Sequence, residues 1–392
     1  MFIVVNTPDI PSECLIAVDT LEVHRLSYGG DDEKAFIAYQ SDPEIYDSGL
    51  SLTVVYQRNK SHPNAVENNI IDMDPLTGDK EHAIYLIVKD FLPTIRSQFC
   101  PTITRITLET VQGELAATVS EDVEEIRHYL PIPSHLSHVF TVPIHELRKV
   151  TELSVYVHLV TWLGKKFAFK VAEDSLEGTV QEINILDKLR ASPGIIDLEA
   201  IVTDKDDRIR GFLMPYMKAG DLGDIFVKAR RSEGRADDDR SEPIFDWRLK
   251  LSWAHQITRG VVELHSIGAY NGDLKPSNIL LDASANAILI DFLPVGITQG
   301  FAAPEVLVKW RNSNCNDHVA SVLTPEADIY SLGLTLYAIA QEISSGEEVQ
   351  PPEWSIVTIP MWYRGVVQRC LAVNPGDRPS ATEVLTLLEE GS

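Results

Sequence analysis

Cysteine is scarce in this chain: four residues, Cys14, Cys100, Cys315 and Cys370, are scattered through 392 with no CxxC pair, so neither a zinc site nor a disulfide framework is expected. Long apolar runs are missing too. No stretch stays apolar for 18 residues, and the short run Phe2–Val5 has no basic segment before it of the kind that opens a secretory leader. Basic charge is outweighed, 34 Lys and Arg against 58 Asp and Glu, and the net −24 would repel nucleic acid and anionic lipid. These absences point to a reducing compartment, cytosol or nucleus, with no anchor and no nucleic-acid or membrane partner.

What is present suits a globular protein with a sizeable core: 44% of residues are apolar and 23% charged, on a chain long enough for two or three domains. Residues 1–134 read as a β-rich or α+β domain, in which strand-like runs such as Phe2–Val5, Leu50–Tyr56, Ala83–Val88 and Thr102–Leu108 alternate with turn clusters. Glu121–Tyr129 has helix-forming composition, and Pro131–Ser134 makes a linker, since proline cannot continue a helix. This part carries no catalytic or metal motif. Its role is expected to lie in binding a protein partner or regulating the rest of the chain.

From residue 135 to about 390 the order of elements changes. Val155–Leu163 and Lys166–Val171 read as a hairpin about Gly164-Lys165, Thr179–Leu189 as a helix, and Phe212–Met217 as a strand that leaves this small lobe. Gly220-Asp221-Leu222 opens a helix, whereas Val227–Pro243 is charged and apolar-poor and reads as an insertion. Asp246–Ser266 is the strongest helix, with Leu249, Trp253, Ile257, Val261 and Leu264 in one apolar stripe behind an Asp246 cap. Further helices are expected at Asp328–Ile343 and Ser380–Glu389.

The chemistry concentrates in Tyr270–Leu281, where Asp273, Lys275 and Asn278 stand at the offsets a phosphoryl-transfer loop needs: an acid for the attacking hydroxyl, a cation, and an amide oxygen for a metal. Ile288–Leu293 reads as a strand running into Asp291-Phe292-Leu293, Ala303-Pro304-Glu305 ends 14 residues after that acid, and Asn374–Pro379 contains Arg378. Together these segments closely resemble the motifs of eukaryotic protein kinases. The resemblance implies a two-lobed α+β fold, with a β-rich small lobe and an α-helical large lobe.

It also implies roles, residue by residue. Asp273 would be the carboxylate that orients the attacking hydroxyl and Lys275 its companion cation, with Asn278 and Asp291 as ligands of Mg²⁺. Lys170 would contact the phosphates of ATP and pair with Glu182, 12 residues on, with Glu177 as the fallback partner. Val155, Ala168, Leu280 and the hinge Met214–Met217 would enclose the adenine. Asp328 would hold the catalytic-loop backbone and Arg378 would pair with Glu305. The Leu-Lys-Pro-Ser-Asn run resembles the serine/threonine-specific form of the loop, which implies protein substrates.

Four positions depart from the family pattern. Asn271-Gly272 replaces His-Arg, Leu293 replaces the glycine after Asp-Phe, the segment between Asp291 and Glu305 is short with a single Thr298, and the glycine-rich template would fall on Arg148–Leu153, which has no glycine. No departure deletes a group that would touch metal or phosphate. Three readings remain: an atypical serine/threonine kinase, a pseudokinase scaffold, and a small-molecule phosphotransferase, the last opposed by Glu305 and Arg378.

Overall fold

Ala35, Ile37 and Tyr39 are buried while the residues between them face outward, the period-two pattern of a strand covered on one side. This strand belongs to the first of two units in the computed structural model, which describes residues 20–29, 32–40, 49–74, 79–100, 102–123, 128–154, 156–172, 176–236, 242–292, 298–312, 323–344, 354–356 and 358–391. One unit comprises residues 1–129 with 144–149, the other 130–143 with 150–392.

In the first unit, β1 (Thr20–Gly29), β2 (Asp32–Gln40) and β3 (Gly49–Gln57) form an antiparallel meander. Two helices, α1 (Val66–Ile71) and α2 (Asp79–Ile95), lead to β4 (Arg105–Val111), which pairs parallel to β3, and β5 (Glu114–Ser120) closes the order β1-β2-β3-β4-β5. The expected strand Ala83–Val88 is helical instead. Its β-branched residues suggest a strand locally, but Ile84, Val88, Leu92 and Ile95 recur at helical spacing and share the core with Val54 and Ile106. No helix forms at 121–123 or 128–129; residues 124–127 and the expected strand Phe2–Val5 lie outside the described residues.

The second unit opens with β6 (Thr141–Pro143), most of β7 (Arg148–Ser154, in this unit from Val150), β8 (Val157–Trp162), β9 (Lys165–Val171), helix α3 (Leu176–Lys188), β10 (Ala200–Thr203) and β11 (Ile209–Pro215). The strands lie in the order β6-β10-β11-β9-β8-β7. Leu163 and Gly164 both have positive φ, 48° and 75°, as the tight turn joining β8 to β9 requires. Gly211 lets β11 approach β9 closely, because a Cβ there would sit 2.1 Å from the Lys170 carbonyl oxygen. Lys170 is thereby fixed on its strand.

The helical part comes next, with α4 (Leu222–Ser232) and α5 (Trp247–Ser266), capped by Asp221 and Asp246, whose carboxylates accept the Asp224 and Arg248 N–H groups. Part of the expected insertion at Val227–Pro243 is therefore helix, up to Ser232. Phe226 and Arg230 are buried on one side of α4, and that packing outweighs its polar composition. After β12 (Ile279–Leu281) and β13 (Ala287–Leu289) come α6 (Pro304–Asn312), α7 (Pro325–Gln341), α8 (Met361–Cys370) and α9 (Ala381–Gly391). Helix α7 is buried almost all round, which explains why it lacks a polar face. Among the described residues no helix is long and apolar enough to cross a membrane.

Candidate active site

Strand alternation sets the first part of the site. Ala168 and Lys170 lie two residues apart on β9 and so project from the same face, with Met214 opposite Ala168 and Val157 opposite Lys170 in the ladders. The Lys170 ammonium donates to Glu182 at 2.8 Å and also to the Asp291 carboxylate. Glu182 is 5% exposed on the inner face of α3 and accepts the Phe292 N–H at 3.2 Å. The short spacing between Lys170 and Glu182 thus suffices, and Glu177, the fallback, is exposed.

Two carboxylates share this one ammonium. Burial alone would depress Lys170, but Glu182 and Asp291 outweigh it and hold the group above the ordinary lysine range. Glu182, desolvated and beside the Asp291 anion, is pushed above the usual carboxylate range despite its ion pair. The cluster carries one more formal negative charge than positive. Asp291 also has φ of 63°, a strained value for a residue with a side chain and one that functional sites tend to retain.

Asp273 is oriented from several sides. Its Oδ2 accepts from Lys275 and from Asn278 Nδ2 at 3.3 Å, its Oδ1 accepts the Thr298 N–H at 3.3 Å, and its own N–H donates to Asn271 Oδ1 at 3.0 Å. Asn278 Nδ2 also donates to the Asp273 carbonyl at 2.9 Å, and the Ile290 N–H donates to the Asn278 carbonyl at 3.1 Å. The Asp273–Asn278 pair is thus tied to the backbone of Ile290, the residue before Asp291, whose carboxylate joins Lys170 and Glu182. Beneath it, the buried Asp328 carboxylate accepts the Asn271 and Gly272 N–H groups at 2.8 and 2.9 Å and lies 3.1 Å from His265 Nε2. Gly272, at φ 81°, takes a left-handed turn that a side chain would strain.

The remaining expected residues are placed less closely. Met217 and Leu280 are half-buried, Leu280 between Ile279 and Leu281, which turn into the core. Val155 and Leu293 lie outside the described residues. The expected glycine template, Arg148–Leu153, lies within strand β7, which runs on to Ser154, and β8 begins at Val157. With no glycine to mark the turn, register alone could not place it. The chemical consequence is unchanged, since no glycine occurs between Arg148 and Leu163.

Three participants escaped sequence reasoning. Val157 occupies the ladder position opposite Lys170, His265 joins Asp328, and Thr298 reaches the catalytic loop, its hydroxyl accepting from Lys275 Nζ at 2.7 Å. Only the proximity of Thr298 to Glu305, seven residues on, hinted that it belongs near this loop. Glu305 itself accepts a two-pronged bond from Arg378 at 2.6 and 3.0 Å.

The donor set fits a hard cation. The Asn278 amide spends its nitrogen on Asp273 and keeps Oδ1 as an oxygen donor, and the Asp291 carboxylate, 40% exposed, is a second within the negatively charged cluster. Lys170 and Lys275 supply cationic nitrogen for an anionic substrate group. A cavity of about 550 Å³ in the first unit is a poorer candidate: Glu33 is held there by Lys80 and Tyr56, and Glu67 by Thr110 and Asn59.

A family model described as Protein kinase domain matches residues 154–387. The chain is 25% identical over 263 residues to the probable serine/threonine-protein kinase drkD of Dictyostelium discoideum, a match covering 58% of this chain and 18% of that protein. It is 27% identical over 262 residues to the SNF1-related protein kinase catalytic subunit alpha KIN12 of Arabidopsis thaliana, covering 59% and 47%. It is also 27% identical over 224 residues to the serine/threonine-protein kinase PknK of Mycobacterium bovis, covering 53% and 19%. The chain thus spans less than half the length of each of these relatives.

Proposed function

This chain belongs to the protein kinase family, and from that membership we propose that residues from about 135 to 390 transfer the γ-phosphoryl group of ATP to a serine or threonine hydroxyl of a protein. The observation that carries the reading is that the Asp273–Asn278 pair and the Lys170–Glu182–Asp291 cluster are both formed and are tied together through the backbone of Ile290. A chain released from catalysis has no reason to keep Lys170, Asp273, Asn278 and Asp291 connected in this way.

In the proposed reaction Asp273 orients the incoming hydroxyl and takes its proton as the oxygen bonds to phosphorus and the bond to the departing diphosphate breaks. Lys275, held between Asp273 and Thr298, stabilises charge on the transferring group. Lys170, steadied by Glu182, binds the phosphates. Asn278 Oδ1 and Asp291 would hold Mg²⁺, which supplies charge neutralisation to the phosphate oxygens when bound. Val157, Ala168, Met214, Met217 and Leu280 enclose the base. The first unit is proposed to recruit a protein partner, in cytosol or nucleus.

The missing lid glycines favour a second reading, a scaffold that binds nucleotide weakly and does not transfer phosphate. The stretch Arg148–Leu163 carries no glycine, so no residue there lets the backbone approach phosphate as closely as glycine would. The pairing of Glu305 with Arg378 speaks against a small-molecule phosphotransferase. Thermal unfolding of the full chain with and without millimolar Mg·ATP tests nucleotide binding, since a ligand of the folded state must raise the transition temperature. A rise is expected; none at millimolar ATP removes both nucleotide-dependent readings.

A further inference from the structure

The segment 130–143 precedes the residues that match the family model, yet it belongs to the second unit. It is pinned at both ends to the sheet. The Ile209 N–H donates to the Leu130 carbonyl at 2.8 Å, Pro131 bridges Arg208, and Thr141–Pro143 runs parallel to Ile201–Thr203 with the Ile201 N–H donating to Phe140. Between these anchors the chain makes one 3₁₀ turn, Ser134–Leu136, against α3. His135 Nε2 lies 2.6 Å from Asn184 Oδ1, and His138 Nε2 lies 3.0 Å from Asp187 Oδ1.

Asn184 and Asp187 are one turn apart on α3, so the two histidines grip a single outer stripe of the helix. Leu136 and Val139 are 1% and 4% exposed and share one apolar core with Ile183 and Leu186. The opposite side of the same helix turn presents Glu182 to Lys170. Because α3 is a rigid rod over this one turn, whatever fixes Asn184 and Asp187 also fixes the Glu182 carboxylate.

We propose that residues 130–143 form a strap that holds α3 in the position where Glu182 reaches Lys170, and that His135, Leu136, His138 and Val139 are positioning residues for that ion pair. The effect on transfer rests on the kinase reading; the effect on α3 does not.

The test uses the full chain with the double substitution His135→Ala/His138→Ala, both sites being solvent-facing and safe for folding, and a glutamine pair as the conservative rescue. Amide hydrogen exchange in Ile183–Lys188 is read against α5 and α7, together with kcat and KM for ATP. The alanine pair is expected to speed exchange in α3 alone and lower kcat by roughly three- to thirtyfold, with the glutamine pair restoring both. In a Glu182→Gln background the alanine pair should add no further loss of transfer. Unchanged α3 exchange, or equal loosening of α5 and α7, overturns the strap. If the parent chain shows no transfer, the kinase reading fails while α3 exchange still decides the strap.

Discussion

Asp328→Asn is the perturbation whose size comes most directly from the structure. The parent carboxylate is 1% exposed and receives two backbone N–H groups, those of Asn271 and Gly272, on separate oxygens. An amide has one accepting oxygen, so one of these N–H groups loses its partner inside the protein and faces another donor. Leaving one buried donor unsatisfied costs about 1–3 kcal/mol, and the loss of a charge-assisted bond puts the total near 2–3 kcal/mol. For a unit of this size the transition temperature should fall by roughly 4–12 °C. The catalytic loop bears the strain, so kcat measured well below that transition should fall more than KM rises. Thermal unfolding and steady-state transfer kinetics on the same preparation read both. A transition within a degree of the parent and an unchanged kcat would refute the claim that Asp328 sets the backbone beneath Asp273.

Other outcomes rest on the remaining contacts. Arg378→Ala should cost about 3–5 kcal/mol at neutral pH, since it strands Glu305 and the carbonyls of Glu326 and Ala372. Burial would raise the Glu305 carboxyl, but the Arg378 bonds hold it below its ordinary value of 4.5, so its stabilisation exists above that pH and is lost as pH falls through the lower folded value. The gap between parent and Arg378→Ala should therefore narrow below about pH 4.5; a gap that is constant with pH refutes the assignment. Replacing Ser154 and Tyr156 with glycine should tighten ATP binding severalfold by calorimetry, because backbone amides can then approach phosphate. Unchanged affinity would show that side chains at this hairpin do not obstruct the nucleotide.

Much of the site was legible because its chemistry fixes residue types at short local offsets. Asp273, Lys275 and Asn278 lie within one loop, and Asp246 announces a helix by the same local logic. The pairing of Lys170 with Glu182 was legible only through the family resemblance, since local sequence left Glu177 open as the partner and the structure selects Glu182. What stayed hidden depended on distance or on missing markers. The helix at Ala83–Val88 is decided by Val54 and Ile106 across the core, not by its own β-branched residues. The β7–β8 connection carries no glycine, so nothing local marks where the strand stops. The contacts of His135 and His138 with Asn184 and Asp187 span 49 residues and join types that are common on any surface.

Transfer of labelled phosphate from Mg·ATP to a generic protein substrate, with Asp273→Asn beside the parent, tests the central claim most directly. The parent should phosphorylate serine or threonine, and the variant should lose about 10²–10⁴-fold in rate while keeping its thermal response to ATP. A parent that binds ATP but transfers nothing, or a variant that transfers as well as the parent, would contradict the account.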